Sequence, residues 1–391
     1  MIKALVQPQP LASDLRSRWL LDESVTFLNH GSFGATPRVV LDHQSQLRAE
    51  LERQPVEFLD RRGLEMIRAA RTRLADFIHA RMEDIGFVTN ATEGVSAVVR
   101  SMTFQPGDEI ITTTHRYQAV GNTLAHIASR SGATLTQIAI DLPFDASDFA
   151  GAVTRAISSR TRLVVIDHIT STSALILPVQ EIASRCRASG VDLLIDGAHA
   201  PGMLDLEVPS IGTTYYTGNC HKWMCAPKGA AFLWVDREHQ SQIHPSIISN
   251  FFGAGFEREF AWQGTRDITP WLCVPVAIDA LSDLGWERIR THNHALAVWA
   301  QSLLCDRWGV EPISAADGRD IGSIATIPLP AGVDRFPDVP AAQAALYAHA
   351  RIEVPFMEVN GRRMVRPSCQ VYNTPAEYER LADAVLELFA R

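Results

Sequence analysis

The sequence is poor in the features that mark secreted, membrane-spanning and metal-clustered proteins. Its six cysteines stand singly and form no CxxC pair, which favours free thiols in a reducing compartment over a disulfide framework. No apolar run approaches the length of a membrane span. Met1–Leu5 runs into Pro8 and Pro10 before the apolar core of a signal peptide could form. We therefore predict a cytoplasmic protein with no membrane partner.

Basic residues are not in excess either. Lys and Arg number 36 against 44 Asp and Glu, which gives a formal net charge of -8 and a pI near 5.9. Such a chain lacks the electrostatic footprint of a polyanion-binding protein, so we predict no nucleic-acid partner. Neither a GxxxxGK[ST] phosphate loop nor a GxGxxG fingerprint occurs, which removes support for the nucleotide enzymes that use them.

The histidines do not form a known metal-binding pattern. His115, His199 and His221 fall on separate predicted elements, and no HExxH or HxxxH spacing is present. We predict no metal site and keep a metal-dependent hydrolase only as a third option.

A chain of 391 residues is long enough for two packed domains. Short apolar strands alternate with helices between residues 85 and 235, which predicts an α/β fold with a mainly parallel sheet covered on both faces. Beyond about residue 270 the pattern changes to a long helical stretch, strand-like segments at 321–328 and 364–366, and a terminal amphipathic helix. The predicted divisions are an N-terminal segment 1–35 packing with the small domain, a large domain 36–270, and a smaller α+β domain 271–391.

Two apolar runs end in residues that carry chemistry. One run ends at Asp196 and is followed by His199, and the other leads through His221 to Lys222. Ligands bind at the carboxyl ends of the strands in such sheets. An aldehyde cofactor with a protonated ring nitrogen needs an amine and a carboxylate, and Lys222 and Asp196 fit these roles. Taken singly, each also fits a structural role, a surface lysine or a helix-capping carboxylate.

Three other stretches place useful groups at predicted strand ends. Residues 89–94 form a strand-to-helix turn whose N–H groups and Thr hydroxyls suit an anion, although an ordinary helix cap has the same pattern. Tyr117 or His115 could stack on a planar cofactor. Arg366 suits a substrate carboxylate and would equally suit a surface ion pair.

The order and spacing of these motifs resemble one family over almost the whole chain, from about Asn29 to Asn373. The chain resembles the fold-type I pyridoxal 5'-phosphate (PLP) enzymes of aminotransferase class V, and within them the isopenicillin N epimerase-like branch. The residues that carry the resemblance are Leu28–Gly34, Asn90–Glu93, Asp196–Gly202, Thr217–Trp223, Gln263–Asp267, Arg366–Ser368 and Tyr372–Asn373.

The resemblance implies a fold-type I large domain with a seven-stranded-type sheet, and it assigns roles to individual residues. Lys222 would form the Schiff base, Asp196 would hold the pyridine nitrogen, His199 would lie near the ring hydroxyl, and Tyr117 would stack on the ring. The catalytic residues would be Lys222, Asp196 and Tyr117. The other implied contacts are phosphate binding by Ala91, Thr92, Asn219 and His221, a cofactor-facing Thr172, and substrate-carboxylate binding by Arg366 with Asn29, His30 and Gly31. Thr265 would reach the phosphate in the neighbouring subunit, which implies a homodimer.

The resemblance leaves the reaction open. It implies an enzyme acting on the α-carbon of a small-molecule amino acid, and the branch favours an epimerase or racemase. A class V aminotransferase and a C–S lyase acting by β-elimination are the alternatives, and a non-catalytic PLP-fold binding protein is a rival from another class. Cysteine desulfurases of this class carry a reactive Cys shortly before the carboxylate-binding Arg. Residues 306–365 contain no Cys, and Cys369 follows Arg366, which disfavours a persulfide mechanism.

Overall fold

The structure, a computed structural model, describes residues 6–12 and 14–390. Residues 1–5, on which part of the signal-peptide argument depends, lie outside the described residues, as do Ser13 and Arg391. Within the described ranges, no helix is both long and apolar enough to cross a membrane.

Fourteen α-helices are described, and most of them cover the faces of a sheet. They are α1 His30–Phe33, α2 Arg38–Arg53, α3 Gly63–Phe77, α4 Ala91–Ser101, α5 Gln118–Ser131, α6 Ala146–Ala156, α7 Val179–Ala188, α8 Val208–Ile211, α9 Phe256–Ala261, α10 Thr269–Leu272, α11 Val274–Ala280, α12 Trp286–Trp308, α13 Val339–Ala350 and α14 Pro375–Ala390.

Twelve strands are described, seven of which form one sheet. They are β1 Thr26–Phe27, β2 Ile85–Val88, β3 Glu109–Thr113, β4 Thr134–Ile138, β5 Thr161–Asp167, β6 Asp192–Asp196, β7 Tyr215–Asn219, β8 Ala231–Val235, β9 Ile327–Pro328, β10 Ile352–Glu353, β11 Phe356–Val359 and β12 Arg362–Val365.

The seven-stranded sheet has the order β2-β8-β7-β6-β5-β3-β4. Strands β3 to β7 pair in parallel, and β8 runs antiparallel to both of its neighbours. Strands β2, β7 and β8 are buried along their whole length, because helices cover both faces. This confirms the predicted fold class, a mainly parallel sheet between helices.

Alternate residues of the central strands enter two different apolar cores. On β5, Val164 and Ile166 belong to the core on one face, whereas Leu163 and Val165 belong to the core on the other. On β6, Leu194 joins Val165 in the second core. This period of two fixes which face each strand-end side chain occupies.

A third core lies under the C-terminal elements. It contains residues of α12, α13 and α14 together with the antiparallel sheet β11-β12-β9. Strand β1 pairs in parallel with β10, which joins this part of the N-terminal segment to the C-terminal elements. Helices α10 and α11 pack on α2 and α3 and contribute to the first core. The first core therefore extends through α11, and α12 contributes to the core under the C-terminal elements.

The strand expected over residues 321–328 is short in the structure. Only Ile327–Pro328 forms a strand, and Ile324 makes a single bridge with Ser368. The partner segment contains Pro367, which has no N–H to donate, so a continuous ladder cannot form there.

Candidate active site

A cavity of about 340 Å³ lies at the carboxyl ends of the parallel strands. Its wall is formed by Ser32, Phe33, Thr89, Asn90, Ala91, Thr92, Tyr117, Asp167, Ser171, Asp196, Ala198, His199, Asn219, His221, Lys222, Lys228 and Gly229. The edge of the sheet thus brings together most of the residues singled out from the sequence, as the strand-end argument expects. We refer to it as the strand-end cavity.

A larger cavity of about 740 Å³ lies between α7, α8 and the loops that precede them. Its wall includes His79, His168, Glu181, Asp205 and Glu207 but no lysine or arginine. Because it offers neither an amine nor a guanidinium, the chemistry expected from the sequence belongs to the smaller cavity.

Lys222 presents its amine in the strand-end cavity, shortly after the end of β7. Burial and the Arg366 guanidinium together lower the pKa of Lys222 to about 7, although the carboxylates of Asp196 and Asp167 oppose this shift. A large fraction of this amine is therefore unprotonated near neutral pH, so it can act as a nucleophile or a base.

His199 contacts this amine and is neutral. Its Nε2 atom lies 3.0 Å from Nζ of Lys222, and the indole N–H of Trp223 donates to Nδ1 over 3.5 Å. Because an indole N–H only donates, Nδ1 is the acceptor and the ring proton is on Nε2. Burial, with the charge of Lys222, holds the pKa of His199 well below its usual value.

Asp196 is the last residue of β6, and its carboxylate accepts a 3.0 Å hydrogen bond from the Ala198 N–H. The side chain is 4% exposed, and this burial raises the pKa of the carboxyl group. Asp167 ends β5 directly beside it, in register with Asp196, and lines the same cavity. Burial and the neighbouring Asp196 raise the pKa of Asp167 well above its usual value.

The N-terminus of α4 forms the opposite, anion-attracting side of the cavity. Asn90 caps the helix by accepting from the Glu93 N–H over 2.9 Å, and the Ala91 N–H donates to Oδ1 of Asn219 over 2.8 Å. The backbone N–H and the hydroxyl of Thr92, and the amide nitrogen of Asn219, make no hydrogen bond with any described residue. These donors at a helix N-terminus suit a phosphate.

Two further basic side chains, His221 and Lys228, line the cavity. Nδ1 of His221 lies 3.0 Å from the Ala230 carbonyl, which makes Nδ1 the protonated nitrogen, and burial lowers the pKa of His221 to about 4. His221 is therefore neutral. Lys228 lines the cavity and donates from Nζ to Oγ1 of Thr36 over 3.3 Å, and burial lowers its pKa.

Arg366 lies just behind the cavity wall. It follows β12 and is 2% exposed, and its guanidinium donates to the carbonyl of Ser171 and, over 3.3 Å, to Oγ of Ser32. Both serines line the cavity. The Nε atom is buried without a hydrogen-bond partner, and burial lowers the pKa of Arg366 to about 10. The guanidinium is thus a cation set behind two small polar side chains.

Asn29, His30 and Gly31 support the wall and are not part of it. His30 is buried, with Nδ1 2.8 Å from the Tyr372 hydroxyl and Nε2 3.1 Å from the Lys222 carbonyl. The turn that they form therefore packs against the peptide that carries the cavity lysine.

The structure separates three further sequence candidates from the cavity. Thr172 does not line it: the Thr172 carbonyl accepts from Thr326 Oγ1 over 3.2 Å, and the residue of this turn that reaches the wall is Ser171. His115 is buried in hydrogen bonds away from the wall, so Tyr117 is the one of the two stacking candidates that lines it. Thr265 follows α9 and does not line the cavity of its own chain.

Sequence reasoning did not single out Asp167, Lys228, Ser32 or Ser171. The signal for Asp167 was present, because it ends an apolar run in the same way as Asp196 does. Lys228 lies in a Pro-Lys-Gly turn, and no local pattern connects that turn to the end of α4.

No reactive thiol reaches the cavity. All six cysteines are buried and free, and none lines the wall. Burial raises the pKa of each thiol, to about 12 for Cys225 and Cys369. Within residues 6–12 and 14–390, no group of three or more His, Cys, Asp or Glu side chains is placed to hold a metal ion.

Comparisons with known proteins agree with this geometry. Residues 34–381 match the family model described as Aminotransferase class-V. The chain is 33% identical to an isopenicillin N epimerase of Amycolatopsis lactamdurans, with 96% of this chain and 98% of that protein covered. It is 32% identical to a putative L-cysteine desulfhydrase of Oryza sativa subsp. japonica, with 97% and 86% covered. The apo cysteine desulfurase of Thermococcus onnurineus NA1 superposes with a TM-score of 0.80 at 20% identity, covering 98% of this chain and 100% of that one.

Proposed function

Because this chain belongs to the aminotransferase class V family, we propose that the strand-end cavity is its active site and that Lys222 is the central catalytic group. The chain is a PLP-dependent enzyme that acts on an amino acid. The observation that carries the site assignment is the amine of Lys222, with a pKa of about 7, in one cavity with the Asp196 carboxylate.

The residues present fit the cofactor. The cavity volume of about 340 Å³ falls within the range of roughly 300–1,000 Å³ common for small-ligand pockets. One side offers an amine and a buried carboxylate, and the other offers the free donors of Thr92 and Asn219 with the cation of Lys228. When bound, PLP supplies an electron sink for the negative charge that forms when the α-carbon loses a proton.

We assign the contacts by chemistry. Lys222 binds the aldehyde of PLP, Asp196 binds the ring nitrogen, and His199 binds the ring hydroxyl. Tyr117 lies against the ring. Phosphate contacts come from Ala91, Thr92, Asn219, His221 and Lys228, with a further contact from Thr265 of the partner subunit. Ser171 replaces Thr172 in this assignment, since it is the residue of that turn on the wall.

The catalytic roles follow from proton affinity and position. Arg366 fixes the substrate carboxylate, and the Asn29–Gly31 turn holds that part of the site in place. The unprotonated Lys222 amine accepts the α-proton. The phenol of Tyr117, which is on the wall and 47% exposed, returns a proton to the opposite side of the α-carbon. The result is epimerisation, which is the function we propose first.

A C–S lyase is the second candidate, since one relative is a putative L-cysteine desulfhydrase. The same proton removal by Lys222, followed by loss of a β-thiol, would give that outcome. The buried thiols with raised pKa values argue against a persulfide-forming desulfurase. Transamination remains the family's other possible outcome.

Proton NMR of the PLP-loaded protein in deuterated water, with a panel of L- and D-amino acids, tests the proposal. Loss of the α-proton signal without keto acid, abolished in Lys222→Ala, supports the epimerase. Pyruvate with a released thiol would make the protein a lyase, and keto acid alone would make it an aminotransferase. No exchange with any substrate would contradict a catalytic role.

We also propose a cytoplasmic homodimer with shared sites. Six free cysteines suit a reducing compartment, and Thr265 does not line the cavity of its own chain. Co-expressed Lys222→Ala and Thr265→Ala chains should form hybrids with one intact site, so PLP binding and turnover should exceed those of either mutant homodimer. Hybrids no better than the mutants would count against shared sites.

A further inference from the structure

Two acidic side chains end neighbouring strands at the floor of the strand-end cavity. Asp167 of β5 and Asp196 of β6 are in-register partners of a parallel pair. The pair two residues earlier, Val165 and Leu194, lies in one core, so the alternation of the strands points Asp167 and Asp196 to that same face. Residues paired across parallel strands lie roughly 4.8 Å apart. Each of the two is only 4% exposed.

Charged groups face the pair from several elements. Lys222 follows β7, Arg116 and Tyr117 follow β3, His199 follows β6, and Arg366 follows β12 behind the cavity wall. His168 bonds the Tyr216 hydroxyl over 2.9 Å behind the pair and is neutral, because burial lowers the pKa of His168 to about 4. Arg116 and the Tyr117 N–H favour an ionised Asp167, whereas Asp196 disfavours it.

The cations near Asp167 and Asp196 are sufficient for one negative charge on the pair. Among the described residues, the ion pairs include neither Asp167 nor Asp196. Two buried like charges this close cannot both ionise without a counterion for each. If PLP is held as proposed, Asp196 is matched by the ring nitrogen and the Lys222 amine is no longer a free cation. Arg116 is then the cation that still favours a second carboxylate, and its guanidinium donates to the Thr113 carbonyl and forms no salt bridge with Asp167.

We propose that Asp167 is a positioning residue that stays protonated and shares its proton with Asp196, so that the pair carries a single negative charge. This inference rests on the proposed placement of PLP beside Asp196. A neutral Asp167 donates a hydrogen bond to the Asp196 carboxylate and so limits how tightly Asp196 holds the proton of the ring. Asp167 thereby sets how strongly the site withdraws electrons from the substrate.

Two substitutions separate this role from an ionised Asp167. Asp167→Asn keeps the size and a donor but removes any charge. If Asp167 were an ionised carboxylate about 6 Å from the titrating group of the bound cofactor, it would change the pKa of that group by roughly two units at an effective dielectric of about 20. We expect the pH midpoint of the bound-cofactor absorbance to change by less than about half a unit in Asp167→Asn. Asp167→Leu removes the donor, and we expect a higher midpoint.

The control is Asp192→Asn, at the other end of β6, which should leave the midpoint unchanged. A fall of more than one unit in Asp167→Asn would show that Asp167 is ionised and would overturn the proposal. An unchanged midpoint in Asp167→Leu would overturn it as well, because the donor would then have no effect. Circular dichroism melting of each variant excludes loss of the fold as the cause.

Infrared spectroscopy of the protein without PLP gives a readout that does not depend on the cofactor. We expect the carbonyl stretch of a protonated carboxyl group at neutral pH, absent in Asp167→Asn and present in Asp192→Asn. Absence of this band from the wild type would overturn the shared proton. A wild-type protein that shows the band but no cofactor absorbance would instead contradict the proposed PLP site.

Discussion

The amine of Lys222 lies 3.0 Å from Nε2 of His199, the nitrogen that carries the ring proton. The imidazole N–H therefore donates to the lone pair of an unprotonated amine, and the indole of Trp223 fixes this tautomer from the other side. The cavity thus stabilises the reactive form of its lysine before any ligand is bound.

Replacing His199 by Met should raise the pKa of Lys222, because the donor to the neutral amine is lost. A net hydrogen bond of about 1 kcal/mol corresponds to somewhat less than one pKa unit. The measurement is the pH dependence of PLP capture by the apoenzyme, followed by absorbance. His199→Gln retains a donor and should restore the wild-type midpoint, and a Gln variant that behaved like Met would contradict the assigned hydrogen bond.

PLP capture should accelerate as the pH rises through about 7, since the Lys222 amine is free only above its pKa of about 7. Arg366→Gln removes a cation that lowers this pKa, so the midpoint should move to higher pH. The same variant should raise KM for the amino acid by roughly 10–100-fold, from loss of a charge-assisted bond of about 1.5–3 kcal/mol. Arg363→Gln, whose guanidinium bonds the Val333 and Phe336 carbonyls, is the control and should leave both values unchanged.

Lys228→Met should weaken PLP binding but not pyridoxal binding. Pyridoxal lacks the phosphate, so it does not report on a cation at the end of α4. We expect PLP affinity to fall by roughly tenfold, the value of a partly screened charge-assisted contact of about 1.4 kcal/mol. Fluorescence titration measures both ligands. Equal losses for the two would point to a general disturbance of the cavity instead.

The cysteines should be dispensable for turnover. Cys369→Ala removes the thiol nearest in sequence to Arg366, and its pKa of about 12 keeps it protonated. We expect the rate to stay within about twofold, because uncharged buried thiols act only through packing. Mass spectrometry of the working enzyme should find no persulfide on any cysteine, and a persulfide would revive the desulfurase alternative.

Gly34→Ala should destabilise the protein and loosen the cofactor site together. Gly34 has φ 71 and ψ 164, a conformation almost restricted to glycine, and an added Cβ would collide with the His221 carbonyl. The backbone strain alone costs roughly 1–3 kcal/mol. Gly107→Ala, with φ 91 and no atom within 4 Å of the added Cβ, isolates the strain from the collision. Gly34→Ala should have the lower Tm and the weaker PLP binding of the two.

The sequence was sufficient to predict the mainly parallel sheet and the strand ends that carry Asp196 and Lys222. Asp196 ends one short apolar run, and another such run leads to Lys222; each run is typical of a buried strand. The carboxyl ends of parallel strands meet at one edge of the sheet. Local pattern and topology agree there, so the fold class and the cavity follow from the chain order.

Features of the cavity that depend on strand register or on packing between distant segments could not be predicted from the sequence. Asp167 matters because it is paired with Asp196, and pairing register is not written in either strand alone. Lys228 lines the same cavity as the start of α4 only because of the packing of its turn. Whether Thr172 or Ser171 faces the cavity depends on the rotation of an irregular turn, which has no periodic signal.

His30 contacts the Lys222 carbonyl and the Tyr372 hydroxyl, and these contacts determine when the site can form during translation. Residues 29–34 leave the ribosome early, yet their binding partners lie 192 and 342 residues further along the chain. Contacts of such separation form late in folding. The nascent large domain should therefore emerge with an unfinished site, and PLP should be captured stably only after the segment around Tyr372 has docked.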